Sequence, residues 1–468
     1  MATVFDAWQF GQVSAEVSLA GHGRRDDILR LQRLRLAQVL HAAAQGAALY
    51  RERMRCLPEG LDPFQMLAQM APVGRRELMA RFEDWVTDPE LSLSGLRGHT
   101  ADPGRIGEPF LGRYLVWESS GTSGAPGIFV QDARCMAVYD ALESQRRSQV
   151  HAMRRWIDPL CLSERIAFVG ATGGHFASYV SVERLRKLQP WLAGSVRSFS
   201  ILQPLDVLVD QLNAFGPSVL ASYPTAAALL GHEAQAGRLD VRLREIWTGG
   251  ETLTGSLRRH LIRAFPGATI RNSYGASEFL AMAWECAQGH LHLNSDWALL
   301  EPVDEHHRPV PPGYPSATVL LTHLANTAQP LIRYDLGDHV CLHAEACACG
   351  SPLPVIEVQG RRDDTLQVAG SHGKTVALLP LALSTVLEDD AGLFDFQVCQ
   401  KDAHTLLLRL PQTGAEGRQA LARGRQALVA FARAQGSDSL RIQGELGCLV
   451  PRGRSGKSCR ILPHGKPG

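Results

Sequence analysis

The amino-acid sequence predicts an α/β protein in two unequal parts, on three observations. Its 468 residues exceed what one ordinary hydrophobic core accommodates. Between residues 165 and 275 short apolar runs alternate with helical stretches, as in stacked β-α layers. After residue 297 proline-punctuated strands take over, and beyond "GRRDD" (360–364) the pattern changes again. The expected architecture is a large N-terminal domain, residues 1–360, of β-α layers plus a small β-barrel-like part. A small α+β C-terminal domain, residues 361–468, follows.

Each element has its own signal. Residues 26–54 repeat apolar positions at helical spacing among helix-favouring alanines. From about residue 100 the chain is rich in glycine and proline up to the loop "WESSGTSGAPG" (117–127), after which "QDARCMAVYDALESQRRSQVHAM" reads as a helix. "RIAFVGA", "SVLASY", "REIWTGG" and "ATIRNSYG" read as buried strands, with "PTAAALLGHEAQAG" and "LTGSLRRHLIRAFPG" as helices between them. The last of these is capped by Thr254 and stopped by Pro266-Gly267. "WALLEPVD", "SATVLLTHL" and "DHVCLHA" form the strand-rich part. "FQVCQ" and "TLLLRL", then the helical "GRQALARGRQALVAFARAQG", belong to the C-terminal part.

Composition excludes several classes. With 45% hydrophobic and 20% charged residues the chain is ordinary for a soluble globular protein. Lys plus Arg (48) nearly cancels Asp plus Glu (47), so no nucleic acid or membrane partner is expected. There is no run of about 18 apolar residues. The start, "MATVFDAWQFGQ", is acidic and polar where a signal peptide would be apolar, so the cytoplasm is the expected location. Ten cysteines in a chain of this length do not make a disulfide scaffold, which fits a reducing compartment.

The 117–127 loop cannot pack a core. It offers backbone N–H groups and hydroxyls, which suit an anion. A Walker phosphate loop needs two glycines five apart before Lys and Ser or Thr. "RSGKS" (454–458) fails that test, because Pro451 stands where the first glycine belongs. "GATGG" (170–174) lacks the spacing of a dinucleotide-binding turn.

Taken in order, five short motifs resemble the adenylate-forming acyl ligases, over most of the chain. They are "SSGTSGAPG" (119–127), "NSYGASE" (272–278), "RYDLGD" (333–338), "GRRDD" (360–364) and "PRGRSGK" (451–457). "LYRERM", "APVGRRELMARFEDWVTDP" and "HLHLNSDWALLEPVD" are similar to the phenylacetate–CoA ligase branch.

The resemblance implies roles for particular residues. Ser119, Ser120, Gly121, Thr122, Ser123 and Gly124 would cradle ATP phosphates, although Ala125 stands where the family often has a lysine. Tyr274 and Gly275 would face adenine, with Gly249, Gly250 and Glu251 as a further wall. Ser277 would touch the α-phosphate, and Glu278 would ligate Mg²⁺, a hard cation suited to carboxylate oxygen. Asp338 would accept from the ribose hydroxyls and Arg361 would make a second ribose or phosphate contact. Asp363 would be the hinge of a mobile C-terminal domain. His175, with Phe176 and Tyr179, would line the acid pocket, and Lys457 would be the catalytic cation.

The chemistry explains such a set. A carboxylate is a poor acyl donor, and attack on the α-phosphorus of ATP expels pyrophosphate and leaves AMP as a good leaving group. Both partners are anions, so the site must supply positive charge and donors where negative charge builds.

A second constellation joins Cys286 and His292 to Cys347 and Cys349, three thiolates and an imidazole, the set of a closed structural Zn²⁺ site. His290 is the alternative ligand. The spacing is not that of a zinc finger, while the resembling branch has similar positions here.

The expected function is therefore ATP- and Mg²⁺-dependent activation of an aryl or arylacetic acid, transfer to coenzyme A, and release of AMP and pyrophosphate. The branch also makes a homodimer an expectation. Two alternatives stand beside this reading. In one the acyl or AMP group passes to an amine, a hydroxyl, a deazaflavin cofactor or a carrier-protein arm; in the other the chain is catalytically inactive and only binds nucleotide.

Overall fold

The computed structural model describes residues 6–119, 126–147, 164–371 and 374–465. A hairpin of β1 (Leu115–Glu118) and β2 (Ile128–Gln131) forms the neck of the 117–127 loop. Both strands are almost wholly buried, with Trp117 and Phe129 anchored in the largest core cluster.

The framework is one nine-stranded sheet. Four α/β strands, β3 (Ile166–Gly170), β4 (Val196–Ser200), β5 (Val219–Ser222) and β6 (Glu245–Thr248), run parallel with β7 (Thr269–Tyr274), in the order β4–β3–β5–β6–β7. Helices Leu205–Phe215, Pro224–Gln235 and Gly255–Ala264 separate the later strands. Leu208, Leu212, Leu230 and Leu261 from these helices pack on Val169, Leu220, Ile246 and Ile270 from the strands. That burial accounts for the continuous apolar runs, since strands covered by helices need not alternate. Thr254 does cap the Gly255–Ala264 helix, its hydroxyl accepting from Leu257 N at 3.1 Å.

At β7 the sheet changes character. β8 (Ala283–Glu285), β9 (Leu291–Leu293), β13 (Asp338–Leu342) and β14 (Val355–Arg361) continue it antiparallel, in the order β7–β8–β9–β14–β13. β10 (Ala298–Val303), β11 (Thr318–His323) and β12 (Tyr334–Asp335) make a separate antiparallel sheet. Leu336 N donates to Val319 O, and Ser316 N to Val340 O, so the two sheets join at a corner. The strand-rich region thus shares its edge with the β-α layers and does not stand apart.

Residues 26–54 are two helices, Arg25–Gly46 and Ala48–Met54, not one. Ala47 is extended and buried at the break, and Gly46 lies so close on Thr87 that a side chain there would collide with it. After the hairpin the helix runs over Ala133–Leu142, then turns to π-type pairing over Glu143–Arg147. The rest of that expected helix, 148–153, lies outside the described residues.

Residues beyond 364 have their own core. β15 (Leu366–Ala369) and β16 (Thr375–Leu378) form a hairpin. β17 (Gln397–Asp402), β18 (Thr405–Leu410), β19 (Arg441–Leu446) and β20 (Ile461–Leu462) form a sheet in the order β19–β18–β17–β20. Helices Pro380–Asp389 and Gly414–Ala434 bury Leu383, Leu387, Leu421 and Leu428 against it. Among the described residues no helix is long and apolar enough to cross a membrane.

Candidate active site

The parallel sheet delivers the polar residues to one edge. β7 ends at Tyr274, and the chain turns through Gly275 toward Glu278. Gly275 is required for space, because a Cβ there would overlap the Leu280 carbonyl. The buried Tyr274 hydroxyl donates to Asp338 Oδ2 at 2.6 Å, at the first residue of β13. Arg361, at the end of the neighbouring β14, brings Nε to 3.3 Å from Asp338 Oδ1. Glu278 is buried and accepts from the Tyr334 hydroxyl at 2.8 Å. The Ser277 carbonyl accepts from Trp117 Nε1 at 2.7 Å, which ties this turn to the β1–β2 neck.

Burial disfavours the charged form of both carboxylates. It raises the pKa of Glu278, against the Tyr334 hydrogen bond and the Arg361 charge. It raises that of Asp338 too, against Arg361, Tyr274 and Lys457. Two buried acids whose partners do not fully offset the cost of burial suit a site that takes up cations or donors.

Lys457 comes from the far end of the chain into the same place. Its Nζ lies 5.9 Å from the centre of the Tyr223 ring. Gly250, at φ +77°, leaves room for it, since a Cβ there would be 3.2 Å from Lys457 Cε. Burial lowers the Lys457 pKa, Arg361 lowers it further, and Glu251, Asp338 and Glu278 oppose both. Those four charges locate the ammonium among the residues of three separate motifs.

The Glu251 side chain faces the C-terminal turn, accepting from Ser458 N at 2.8 Å and from Thr225 Oγ1 at 2.7 Å. Tyr223 donates to Ser455 O at 2.7 Å. Tyr223, Thr225 and Tyr334 belong to this cleft but were not singled out by sequence. Tyr334 sits inside "RYDLGD", four residues before Asp338, whereas "SYPT" reads only as the start of a helix.

Ser119 closes the loop neck: its hydroxyl accepts from Gly127 N at 2.8 Å, and its own N–H donates to Gly127 O at 2.8 Å. Ser120, Gly121, Thr122, Ser123, Gly124 and Ala125 lie outside the described residues. His175 is buried, its carbonyl accepting from Glu118 N at 2.7 Å and its ring 5.6 Å from that of His99. Burial lowers its pKa, against the nearby Glu118 charge, which keeps the imidazole neutral near pH 7. Asp363 falls in the short helical turn Arg362–Asp364 that links β14 to β15.

The four residues of the cysteine–histidine set converge, with donor atoms all within 4.8 Å of one another. Cys286 Sγ lies 3.9 Å from Cys347 Sγ, and Cys349 Sγ 3.3 Å from His292 Nε2. A tetrahedral zinc with S at about 2.3 Å and N at about 2.0 Å sets such edges at roughly 3.8 and 3.5 Å, so the donors fit that ion. His292 Nδ1 faces Leu353 O at 2.8 Å, which leaves Nε2 as the lone pair directed at the thiols. His290 lies at the edge, its Nδ1 3.3 Å from Cys347 Sγ, and His292 completes the set.

The fold has known counterparts. A 2-hydroxyisobutyryl-CoA ligase, solved in the postadenylation state with R3-HIB-AMP, superposes with TM-score 0.69 over 96% of this chain and 92% of that one, at 20% identity. An anthranilate CoA ligase in complex with anthranoyl-AMP gives TM-score 0.52 over 74% of this chain and 64% of that one, at 18% identity. In sequence, a phenylacetate-coenzyme A ligase of Thermus thermophilus is 31% identical over 165 residues, 33% of this chain and 37% of that protein. The chain is thus matched over less than half the length of this curated relative. No protein-family model matches the chain. The fold is that of the adenylate-forming ligases, as the five motifs indicated, and the local sequence likeness falls in the phenylacetate–CoA ligase branch.

Proposed function

We propose that this protein is an AMP-forming acid–thiol ligase acting on a small carboxylic acid of the aryl or arylacetic class, with coenzyme A as acceptor. One observation carries the reading. Glu278, Asp338, Arg361 and Lys457, spread over 180 residues of sequence, meet in a single cleft with the two carboxylates buried and Arg361 at its exposed rim, and their charges perturb one another.

Their chemistry suits two anions brought together. Asp338, oriented by Tyr274 and Arg361, would accept from the ribose hydroxyls. Lys457 would neutralise the attacking carboxylate and the α-phosphate together, where the transition state spreads negative charge. Glu278 would hold Mg²⁺, which when bound offsets phosphate charge. The 120–125 loop would receive the outer phosphates, and Ser277 the α-phosphate. Neutral His175 suits the wall of an acid pocket.

The reading divides the chain into an ATP- and acid-binding part, 1–360, and a mobile part, 361–468, pivoting at Asp363. Zn²⁺ held by Cys286, His292, Cys347 and Cys349 would join the β8–β9 turn to the loop before β14. A cytoplasmic homodimer is part of the same proposal.

Acid-dependent exchange of labelled pyrophosphate into ATP tests it, screened over a panel of carboxylic acids. Signal with an aryl acid, and a thioester detected by mass after coenzyme A is added, is the expected outcome. No exchange with any acid would leave only nucleotide binding. Exchange without a thioester would move the acceptor to an amine, a hydroxyl, a deazaflavin or a carrier arm.

A further inference from the structure

The loop from Gly249 to Thr254, between β6 and the Gly255–Ala264 helix, meets the C-terminal part twice. At its start Glu251 uses both oxygens: Oε2 accepts from Thr225 Oγ1 (2.7 Å) and Thr225 N (3.2 Å), and Oε1 from Ser458 N (2.8 Å). Thr225 Oγ1 is also 3.2 Å from Ser458 Oγ. At its end the Thr254 hydroxyl donates to Glu388, whose other oxygen is held by Arg460 at 2.6 Å. Arg259, one turn further on, bonds Asp389 at 2.6 Å.

We infer that Glu251 is a positioning residue: with Thr225 it latches the Arg452–Ser458 turn and so sets where Lys457 stands in the cleft, without touching the nucleotide. This inference rests on the ligase reading above and names a residue that governs its first step.

Bonds that travel with the turn differ from bonds that place it. Gly453 N to Lys457 O (2.9 Å), Cys459 N to Pro451 O (2.9 Å) and Arg452 Nη1 to Gly456 O (3.0 Å) are internal. They give the turn its shape and would move with it. Among the described residues the hydrogen bonds that cross to the larger part go to Glu251, Thr225 and Tyr223, beside one solvent-exposed ion pair of Arg454 with Glu118 at 3.6 Å. Of these, the Glu251 bond holds the peptide immediately after Lys457, so it fixes the backbone from which the long side chain projects. Thr225 holds the carboxylate from the large part's own side, so the acceptor is in place before the turn arrives. An ionised acceptor also makes the stronger bond.

The test uses Glu251→Gln and Thr225→Val in the full chain. An amide side chain has one acceptor oxygen, so Gln can serve Thr225 or Ser458 but not both. Amide hydrogen exchange of the 451–460 segment should speed up by about tenfold or more in each variant, as expected for loss of a charge-assisted bond. Pyrophosphate exchange should lose about tenfold in kcat with the KM for ATP held within about twofold, while thiolysis of supplied acyl-adenylate persists. Unchanged hydrogen exchange in both variants would overturn the latch. So would a raised KM for ATP at constant kcat, which would make Glu251 a nucleotide contact. If the unmodified chain exchanges no pyrophosphate with any acid, the ligase reading fails, and hydrogen exchange still judges the latch by itself. Should Glu251→Gln not fold, Thr225→Val carries the same criteria.

Discussion

The Glu278–Asp338–Lys457 cleft and the Cys286–His292–Cys347–Cys349 cluster lie on the same half of the large sheet, and they are built on opposite principles. In the cluster the ligands come from one hairpin and one facing loop, and donor atoms turn inward on each other at 3.3 and 3.9 Å. In the cleft the groups come from three distant segments, and burial works against the charge of Glu278, Asp338 and Lys457 alike. The first arrangement would close around an ion and leave no open position, as a structural site does. The second leaves charges partly compensated, which is useful only where a ligand will complete them. Stability should therefore depend on the cluster and turnover on the cleft.

The largest effect expected is on that division itself. Purified without chelator, the chain should hold about one zinc, and stripping it should cost on the order of 4 kcal/mol of stability, as for an ion bound far above its dissociation constant. Thermal denaturation with and without a strong chelator measures this. A zinc-free preparation of equal stability would break the comparison from the cluster's side.

Lys457→Ala breaks it from the other side. Loss of a cation aimed at developing charge should slow adenylation by about 10² to 10³, with melting temperature unchanged and thiolysis of supplied adenylate spared. Equal loss in both half-reactions would remove the lysine from the first step. Asp338→Asn should be milder, raising the KM for ATP by about tenfold, since one charge-assisted bond is weakened. Tyr274 would still be able to donate to the amide oxygen.

How far all this was legible in the sequence follows the same division of local from distant. Strands β3 and β5 announce themselves because burial on both faces leaves uninterrupted apolar runs, while β6 and β7, the latter a half-exposed "TIRNSY", show by their place between helical stretches and glycine turns. β4, "VRSFS", does not: only Val196 and Phe199 face the core, and its pairing with β3 supplies the rest. The Ala7–His22 helix has no clean signal either, since Val13, Val17 and Ala20 are its buried residues while the apolar Trp8 and Leu19 are exposed and blur the helical spacing. In the cleft, motif residues stand out by type and order. The partners that aim them are set by tertiary approach: Tyr334 lies within "RYDLGD", though nothing there tells that its hydroxyl reaches Glu278, and Tyr223 and Thr225 have no local signature. Glu251 shows the limit: "WTGGETL" marks a turn at a strand end, but nothing in it reveals that the carboxylate grips Ser458.

Titration sharpens the comparison further. Lys457 must be protonated to act, and burial lowers its pKa from the ordinary 10.5, so adenylation should fall as pH rises through a midpoint below that value. Glu278 must be ionised to hold Mg²⁺, and burial raises its pKa above 4.5, so activity should also fall as pH drops through a midpoint above it. The two limbs of a pH–rate profile for pyrophosphate exchange check both signs. Glu251→Gln should move the alkaline limb to lower pH, because it removes a negative charge that supports the ammonium.

The smallest effect belongs to an ion pair that looks functional by position. Arg454 Nη2 lies 3.6 Å from Glu118 Oε2, joining the Lys457 turn to the neck of the phosphate loop. The Arg454 side chain is 67% exposed, and Glu118 already accepts from Thr100 Oγ1 at 2.7 Å. A solvated pair at that distance contributes at most about 1 kcal/mol, and less in salt. Arg454→Ala should therefore leave stability within about 1 kcal/mol, checked by urea denaturation. The 119–127 loop carries no lysine or arginine of its own. If the variant instead raises the KM for ATP several-fold at low salt, with stability unmoved, Arg454 belongs with the cleft, as a cation lent to the loop from the far end of the chain.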